Sequence, residues 1–336
     1  MNPSPTNERL QRALLSLDGL SVGDAFGQSF FFVTPVTADQ RLEGRFIPPP
    51  PWFYTDDTVM AKSIVRSLNA HQSIQCEWLA QAFAEEYRRE TDRGYGGTAR
   101  GILQAIGEGV PWQEAAGRVF DGEGSCGNGG AMRAAPIGAY FADDLQKLIA
   151  EARKSAAVTH AHEDGQTGAI AVALAAAWIV DQFDAAKASG MRLIEFVLAN
   201  LPQTETYWRL KKALTLPLEL SPKTAALILG NGSQVVSSDT VPFCLWCASR
   251  HLNDYPEALW QAVSVHGDMD TNCAIIGSLV ALATGRAGIP AEWLASRENL
   301  NLECACDSLS PKGASQQSPG QARVASAALG NPPPDE

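Results

Sequence analysis

The sequence predicts an all-α protein, a compact orthogonal multi-helix bundle of roughly a dozen helices around one core. Three observations carry this expectation. Apolar residues recur at three- and four-residue intervals through most of the chain. Alanine, the best helix former, is concentrated within those stretches, above all across 169–177. Alternating β-branched runs are nearly absent, and the one tempting strand, 30–36, is interrupted by Pro35.

Taken in order, the periodic segments place helices over 8–20, 59–68, 77–89, 98–107, 145–157, 168–183 and 192–201. Later ones fall over 206–214, 223–229, 241–251, 255–263 and 272–283. Residues 38–53 include Pro48, Pro49, Pro50 and Pro51, too stiff and too poor in N–H groups for a helix. They are expected to form a surface segment that delivers Trp52 and Phe53 toward residues 54–58. The longest apolar run, 168–180, is too short to span a bilayer and reads as a buried core helix. One helical domain is expected over 1–306. The Ser-, Pro- and Gln-rich stretch 307–336 cannot bury enough apolar surface to order itself and is expected to be a disordered tail.

Composition narrows the function. With 336 residues, 45% of them hydrophobic, the chain can bury a sizeable core. Its net charge of −11 argues against a nucleic-acid partner or an anionic membrane surface, since either needs clustered Lys and Arg. Seven cysteines form no framework, and an odd number fits a reducing compartment. Cys244 and Cys247 have redox or zinc spacing but sit in an apolar helical pattern, which favours buried thiols; Cys304 and Cys306 are no stronger a signal. The N-terminus lacks a basic region followed by an apolar stretch, so no signal peptide is expected and the location expected is cytoplasmic.

Two acidic clusters are the most informative feature. Thr55-Asp56-Asp57-Thr58 and Asp268-Met269-Asp270-Thr271 each stand where a turn enters an apolar helical pattern. Asp and Thr are favoured helix N-caps, but a cap needs one side chain and each cluster offers three or more oxygen-bearing residues. Asp57 and Asp268 are 268 − 57 = 211 residues apart, so only a compact fold brings the clusters together. Carboxylates and hydroxyls are hard oxygen donors that suit Mg²⁺ or Mn²⁺. Two converging clusters suit a pair of such ions bridged by a shared carboxylate.

Other segments add weaker signals. Between Gly124 and Arg133, glycines at 124, 127, 129 and 130 expose backbone N–H groups ahead of a helix-like stretch, a combination able to cradle phosphate or ribose oxygens. There Asn128 offers a polar contact and Met132 an adaptable apolar one. His160 and His162 follow the helix at 145–157, where histidine also serves to satisfy terminal carbonyls. Tyr95, in Arg93-Gly94-Tyr95-Gly96-Gly97, is a candidate to stack on a base. Gly23-Asp24-Ala25-Phe26-Gly27 closes the first helix.

In that order, Gly23-Asp24-Ala25-Phe26-Gly27, Tyr54-Thr55-Asp56-Asp57-Thr58, Gly127-Asn128-Gly129-Gly130-Ala131-Met132-Arg133, Thr159-His160 and Gly267-Asp268-Met269-Asp270-Thr271 resemble the ADP-ribosylglycohydrolase family. That family includes the enzyme releasing ADP-ribose from dinitrogenase reductase. The likeness covers about 9–285. It implies a compact helical fold with two divalent cations, Mg²⁺ or Mn²⁺, on Thr55, Asp56, Asp57, Asp268, Asp270 and Thr271. It also implies that Gly127, Asn128, Gly129, Gly130, Met132 and His160 hold ADP-ribose. Two departures stand out. Some branches that cleave O-linked ADP-ribose carry a glutamate four residues after the first motif, where this chain has Phe31; Glu43, in the following loop, is the candidate substitute. His266 stands where many relatives have glycine.

The resulting expectation is a metal-dependent hydrolase of the glycosidic bond between ADP-ribose and a modified protein side chain, arginine favoured, or a small molecule. Asp57 is the expected general base and Asp56 the second choice. Two other classes stay open: a catalytically silent ADP-ribose-binding protein, and a dimetal phosphohydrolase acting on the pyrophosphate.

Overall fold

Gly19, Gly23 and Gly27 recur every four residues along one face of the first helix, and this face organises the molecule. The computed structural model describes residues 5–31, 33–183, 190–217 and 219–302. Among them are sixteen α-helices: α1 (Pro5–Gln28), α2 (Pro35–Gly44), α3 (Asp56–His71), α4 (Cys76–Arg89), α5 (Gly97–Gly107), α6 (Trp112–Gly117), α7 (Ala135–Tyr140) and α8 (Leu145–Ala157). The second half holds α9 (Glu163–Gln182), α10 (Met191–Ala199), α11 (Glu205–Ala213), α12 (Pro222–Leu229), α13 (Ser237–Arg250), α14 (Tyr255–Val263), α15 (Met269–Thr284) and α16 (Ala291–Ser296). Among the described residues there are two isolated β-bridges, Trp52 with Arg297 and Gly127 with Val236, and no strand.

Helices α1 and α15 lie backbone against backbone. A β-carbon on Gly23 would stand 2.1 Å from the Cys273 carbonyl oxygen, and one on Gly27 would stand 2.3 Å from that of Met269. Gly277 answers from α15, where a β-carbon would meet Gly19 O at 2.6 Å. Only glycine permits this approach, and it pins the start of α15 beside the C-terminal turns of α1. Gly23→Ala should therefore force the helices apart and cost about 3 kcal/mol, the upper end for overpacking, read as a lower melting temperature. Gly101→Ala is the contrast: nothing lies within 4 Å of its β-position, so α5 should be unchanged or slightly stabilised.

The centre of the bundle is α9. It is buried almost all round from Gly165 to Ile179, as the alanine-rich run requires, and packs against α7, α8, α10, α13 and α15. Cys244 and Cys247 are free thiols buried in this core, as their apolar helical pattern leads one to expect, and Cys273 is buried with them.

Several expectations need correction. The first helix runs to Gln28, because Gly23 and Gly27 are packing residues within it rather than its stop signal. Residues 38–44 are helical. Pro35 occupies the first turn of α2, where its missing N–H costs nothing, and the Thr34 hydroxyl accepts from Thr37 N at 3.2 Å. Trp52 does not reach the acidic cluster. It is buried with its ring 5.6 Å from those of Phe26 and Trp293, and its indole N–H donates to Pro48 O at 2.9 Å. Phe53 stays exposed. The short helix α7 follows the glycine loop where a helix-like stretch is expected, whereas α6 and α16, of six residues each, show too little periodicity to register in the sequence. Cys304, Cys306 and the tail expected over 307–336 lie outside the described residues. No helix among those described is long and apolar enough to cross a membrane.

Candidate functional site

The site is assembled from helix beginnings, and a residue near the C-terminal end of α1 docks the first of them. Asp24 is fully buried. Its carboxylate accepts from Thr55 N at 2.9 Å, Thr55 Oγ1 at 2.9 Å, Thr58 N at 3.1 Å and Thr58 Oγ1 at 2.5 Å. These bonds dock the start of α3 onto α1. They also occupy the hydroxyl protons of both Thr55 and Thr58, and Thr55, expected from sequence among the metal donors, does not line the cavity that Asp56 and Asp57 enter. Thr55 caps α3 as well, accepting from Asp57 N at 3.3 Å, so capping and site-building coexist in one residue. Asp268, by contrast, stands at the N-cap of α15 without making a side-chain cap bond.

The two clusters meet. Thr271 Oγ1 donates to Asp57 Oδ2 at 3.4 Å, while Asp57 Oδ1 is buried without a hydrogen-bond partner among the described residues. Asp270 Oδ1 accepts from its neighbour Thr271 N at 2.9 Å. Asp268 Oδ2 accepts from Asn128 Nδ2 at 2.6 Å, which joins the glycine loop to the second cluster. The backbone before Asp268 is held in the left-handed region, with φ 57° at His266 and 75° at Gly267, the reason glycine would suit both positions.

Crowding of like charge dominates the electrostatics. Burial, and then the Asp24 charge, push Asp56 up to about 8. The same two causes lift Asp57 well above the usual carboxylate range. Burial, and then Asp268, do so for Asp270. Burial raises Asp24 to about 6 against the pull of its threonine donors. Among the described residues no three His, Cys, Asp or Glu side chains close into a finished ligand set. The donor chemistry nevertheless fits hard divalent cations: several carboxylates, threonine hydroxyls, one orphaned buried oxygen and a local excess of negative charge.

Asp56, Asp57, Asp268, Asp270 and Thr271 share a cavity of about 620 Å³ with Gly127, Asn128, Gly129, Met132 and His160. Asn128 begins a 3₁₀ turn and is fixed by a second bond, Nδ2 to Thr240 Oγ1 at 3.0 Å. Gly127 and Gly129 face the His160 ring; a β-carbon on Gly129 would fall 2.8 Å from Cε1. Gly130 is different. It packs toward Ala156 and Gly165, behind the loop, and lines no part of the cavity. His162 takes the capping role: it precedes α9 and its Nδ1 accepts from Asp164 N at 3.0 Å.

Tyr95 does not face the cavity. It is 2% exposed and meets Tyr87 edge-on at 5.1 Å, because the glycines around it turn the chain inward and leave the backbone of Gly94, Gly96 and Gly97 in the cavity wall. Phe31 and Glu43 are exposed and lie outside the cavity as well. Several lining residues were missed from sequence, and two of them are unusual. Phe120 and Val235 are large, 59% and 54% exposed, and held at φ 52° and 56°, strained for side chains of their kind. An isolated Phe or Val carries no chemical signal by which one sequence could reveal this placement.

The sequence profile of the ADP-ribosylglycohydrolase family matches residues 5–319. Similar proteins include the ADP-ribosylhydrolase ARH3 of Bos taurus, 30% identical over 280 residues that make up 73% of this chain and 74% of that protein. ADP-ribosylhydrolase ARH3 of Xenopus tropicalis is 30% identical over 324 residues, 84% of this chain and 90% of that protein. The ADP-ribosylarginine hydrolase Tri1 of Serratia proteamaculans is 21% identical over 299 residues, 86% of this chain and 76% of that protein. A solved structure described as an ADP-ribosylglycohydrolase-related protein complex matches with a TM-score of 0.62 over 87% of this chain and 94% of that one. At 24% identity, that likeness concerns the fold alone.

Proposed function

The chain belongs to the ADP-ribosylglycohydrolase family, and from that premise we propose that its acidic centre binds two divalent cations, Mg²⁺ or Mn²⁺, and serves to cleave ADP-ribose from arginine side chains. The broader activity, hydrolysis of a glycosidic bond to ADP-ribose, follows from the family and its ADP-ribosylhydrolase members. The substrate is an ADP-ribosylated protein or small molecule. The observation that carries the metal reading is the contact of Thr271 with Asp57 across 271 − 57 = 214 residues, beside a buried carboxylate oxygen that has no partner among the described residues.

The ions would be held by Asp56, Asp57, Asp268 and Asp270, with Thr55 and Thr271 as further oxygen donors. Once bound, they supply the positive charge that the carboxylates need and orient hydroxyl and water oxygens. The rest falls to the chain. Asn128 and the backbone N–H groups of the glycine loop suit the diphosphate and ribose oxygens, as does His160. Phe120, Val235 and Met132 offer apolar faces suited to a planar base. Asp57 would take the proton from the attacking water as the bond to the arginine nitrogen breaks through an oxocarbenium-like state; the departing guanidine keeps the bonding electron pair and then receives that proton. A carboxylate wholly bound to a cation is a poor base, so one oxygen of Asp57 would have to stay free of the ions.

The arginine reading rests on the missing glutamate. Phe31 stands in its place, and Glu43 sits on an exposed turn of α2, away from the cavity. Incubation with arginine-, serine- and nucleic-acid-linked ADP-ribose in Mg²⁺ or Mn²⁺ should release free ADP-ribose from the arginine-linked substrate fastest. Faster release from serine would overturn the linkage, AMP would indicate a phosphohydrolase, and unchanged substrate would indicate a binding protein.

A further inference from the structure

Arg133 is the buried group that the chemistry above leaves without a task. It is 0% exposed, an unusual place for a guanidinium, and its planar head is held on several sides. Nη1 donates to Gly129 O at 2.7 Å, and Nη2 donates to Ser155 O at 2.9 Å and Thr159 Oγ1 at 2.8 Å. The face of Phe83 lies 4.8 Å from the guanidinium carbon. Arg133 thus braces the glycine loop and, in the same plane, reaches the residue next to His160.

The contact with Thr159 has a consequence for the imidazole. Thr159 Oγ1 lies 2.7 Å from His160 Nδ1, and Thr159 is 1% exposed. Arg133 has no acceptor, so the threonine oxygen must accept from it. Thr159 then has one proton to give. If His160 carried its proton on Nδ1, the hydroxyl would accept twice and its own proton would be buried without an acceptor, a costly arrangement. The satisfied arrangement runs in one direction: Arg133 donates to Thr159, and Thr159 donates to Nδ1. The imidazole proton is left on Nε2, which has no acceptor among the described residues. That nitrogen faces the side where Gly127 and Gly129 lack side chains; β-carbons at either position would stand 3.1 Å from it.

The geometry points to Arg133 and Thr159 as positioning residues that fix the His160 tautomer, so that Nε2–H is presented to an oxygen of the bound ADP-ribose. ADP-ribose as the ligand rests on the function proposed above; the tautomer does not. Burial, with the Arg133 charge second, also pushes the His160 imidazole down to about 3, which keeps it neutral at working pH. A neutral ring has only one N–H, and the relay decides where it points. Gly129 O, Ser155 O and Phe83 account for Arg133 as a brace. The bond to Thr159 is the part a brace does not need.

Nitrogen-15 NMR of the ligand-free protein reads the tautomer directly, with His160→Gln assigning the signals. In the wild type, His160 should show an unprotonated Nδ1 and a protonated Nε2. Thr159→Val keeps the shape and both carbonyl bonds of Arg133 but removes the hydroxyl. It should let the two ring nitrogens exchange character and weaken ADP-ribose binding about tenfold, the worth of one charge-assisted hydrogen bond. KM should rise with kcat little changed, and Thr159→Ser should restore both readouts. A proton on Nδ1 in the wild type, or a Thr159→Val protein that binds ADP-ribose as the wild type does, would overturn the relay. If the wild type binds no ADP-ribose, the proposed function fails, and the nitrogen spectrum still decides the tautomer.

Discussion

Asp57→Asn should lower hydrolysis by roughly 10²–10⁴-fold, the usual worth of general base catalysis. The amide keeps the shape of the side chain, and its carbonyl oxygen can still accept from Thr271 Oγ1, a bond of 3.4 Å in the wild type. What disappears is the carboxylate's capacity to take up a proton. ADP-ribose binding should survive, because the glycine loop, His160 and the remaining carboxylates are untouched. Glu43→Gln is the control, since Glu43 lies outside the cavity, and it should cost less than about tenfold. Steady-state rates with arginine-linked ADP-ribose provide the check. Loss of activity in Glu43→Gln with Asp57→Asn still active would make the α2 glutamate the base.

Asp24→Ala carries the largest expected cost in stability. The carboxylate serves two N–H groups and two hydroxyls of Thr55 and Thr58 in a fully buried position. Truncation would strand those donors and leave a void between α1 and α3, at a cost of about 4–5 kcal/mol. Asp24→Asn should cost about half as much, since one acceptor oxygen remains while an amide N–H now faces the threonine donors. Denaturant unfolding monitored by circular dichroism provides both values. An Asp24→Ala protein as stable as the wild type would show that α3 is docked by its apolar face alone.

Asp24 also shows what the sequence could and could not disclose. The two clusters were legible because several oxygen-bearing residues at each of two helix starts exceed what a cap requires. Asp24 was visible only as part of a motif. Its role, docking the first cluster onto the helix that packs against the second, depends on α1 running past Gly23 and Gly27, and those glycines resemble a stop until α15 is seen against them. The long helices were legible from period alone, while α2 was obscured because Pro35 signals a break in a strand and a beginning in a helix. Gly127, Asn128, Gly129, Met132 and His160 do share one cavity with the carboxylates. Gly130 and Tyr95 turn away from it, since motif membership does not say which side of a loop faces a ligand. Phe120 and Val235 required the folded chain.

The carboxylates make a further demand on the account. Because folding raises Asp24 to about 6 and Asp56 to about 8, their protonated forms are favoured in the folded state. Stability from this source is fully present below the unfolded values near 3.8 and is lost as pH rises through about 6 and then about 8. A bound cation removes that loss by favouring the charged forms, so the pH dependence should flatten when divalent metal is added.

The most direct measurement is a calorimetric titration of the metal-stripped protein with Mn²⁺ and with Mg²⁺ at neutral pH. The wild type should bind two ions per chain, with a rise in melting temperature that tracks their binding, and Asp270→Ala should lose at least one ion. Absence of binding at millimolar concentration of either metal, with the wild type folded, would contradict the claim that the two clusters form a divalent-cation centre.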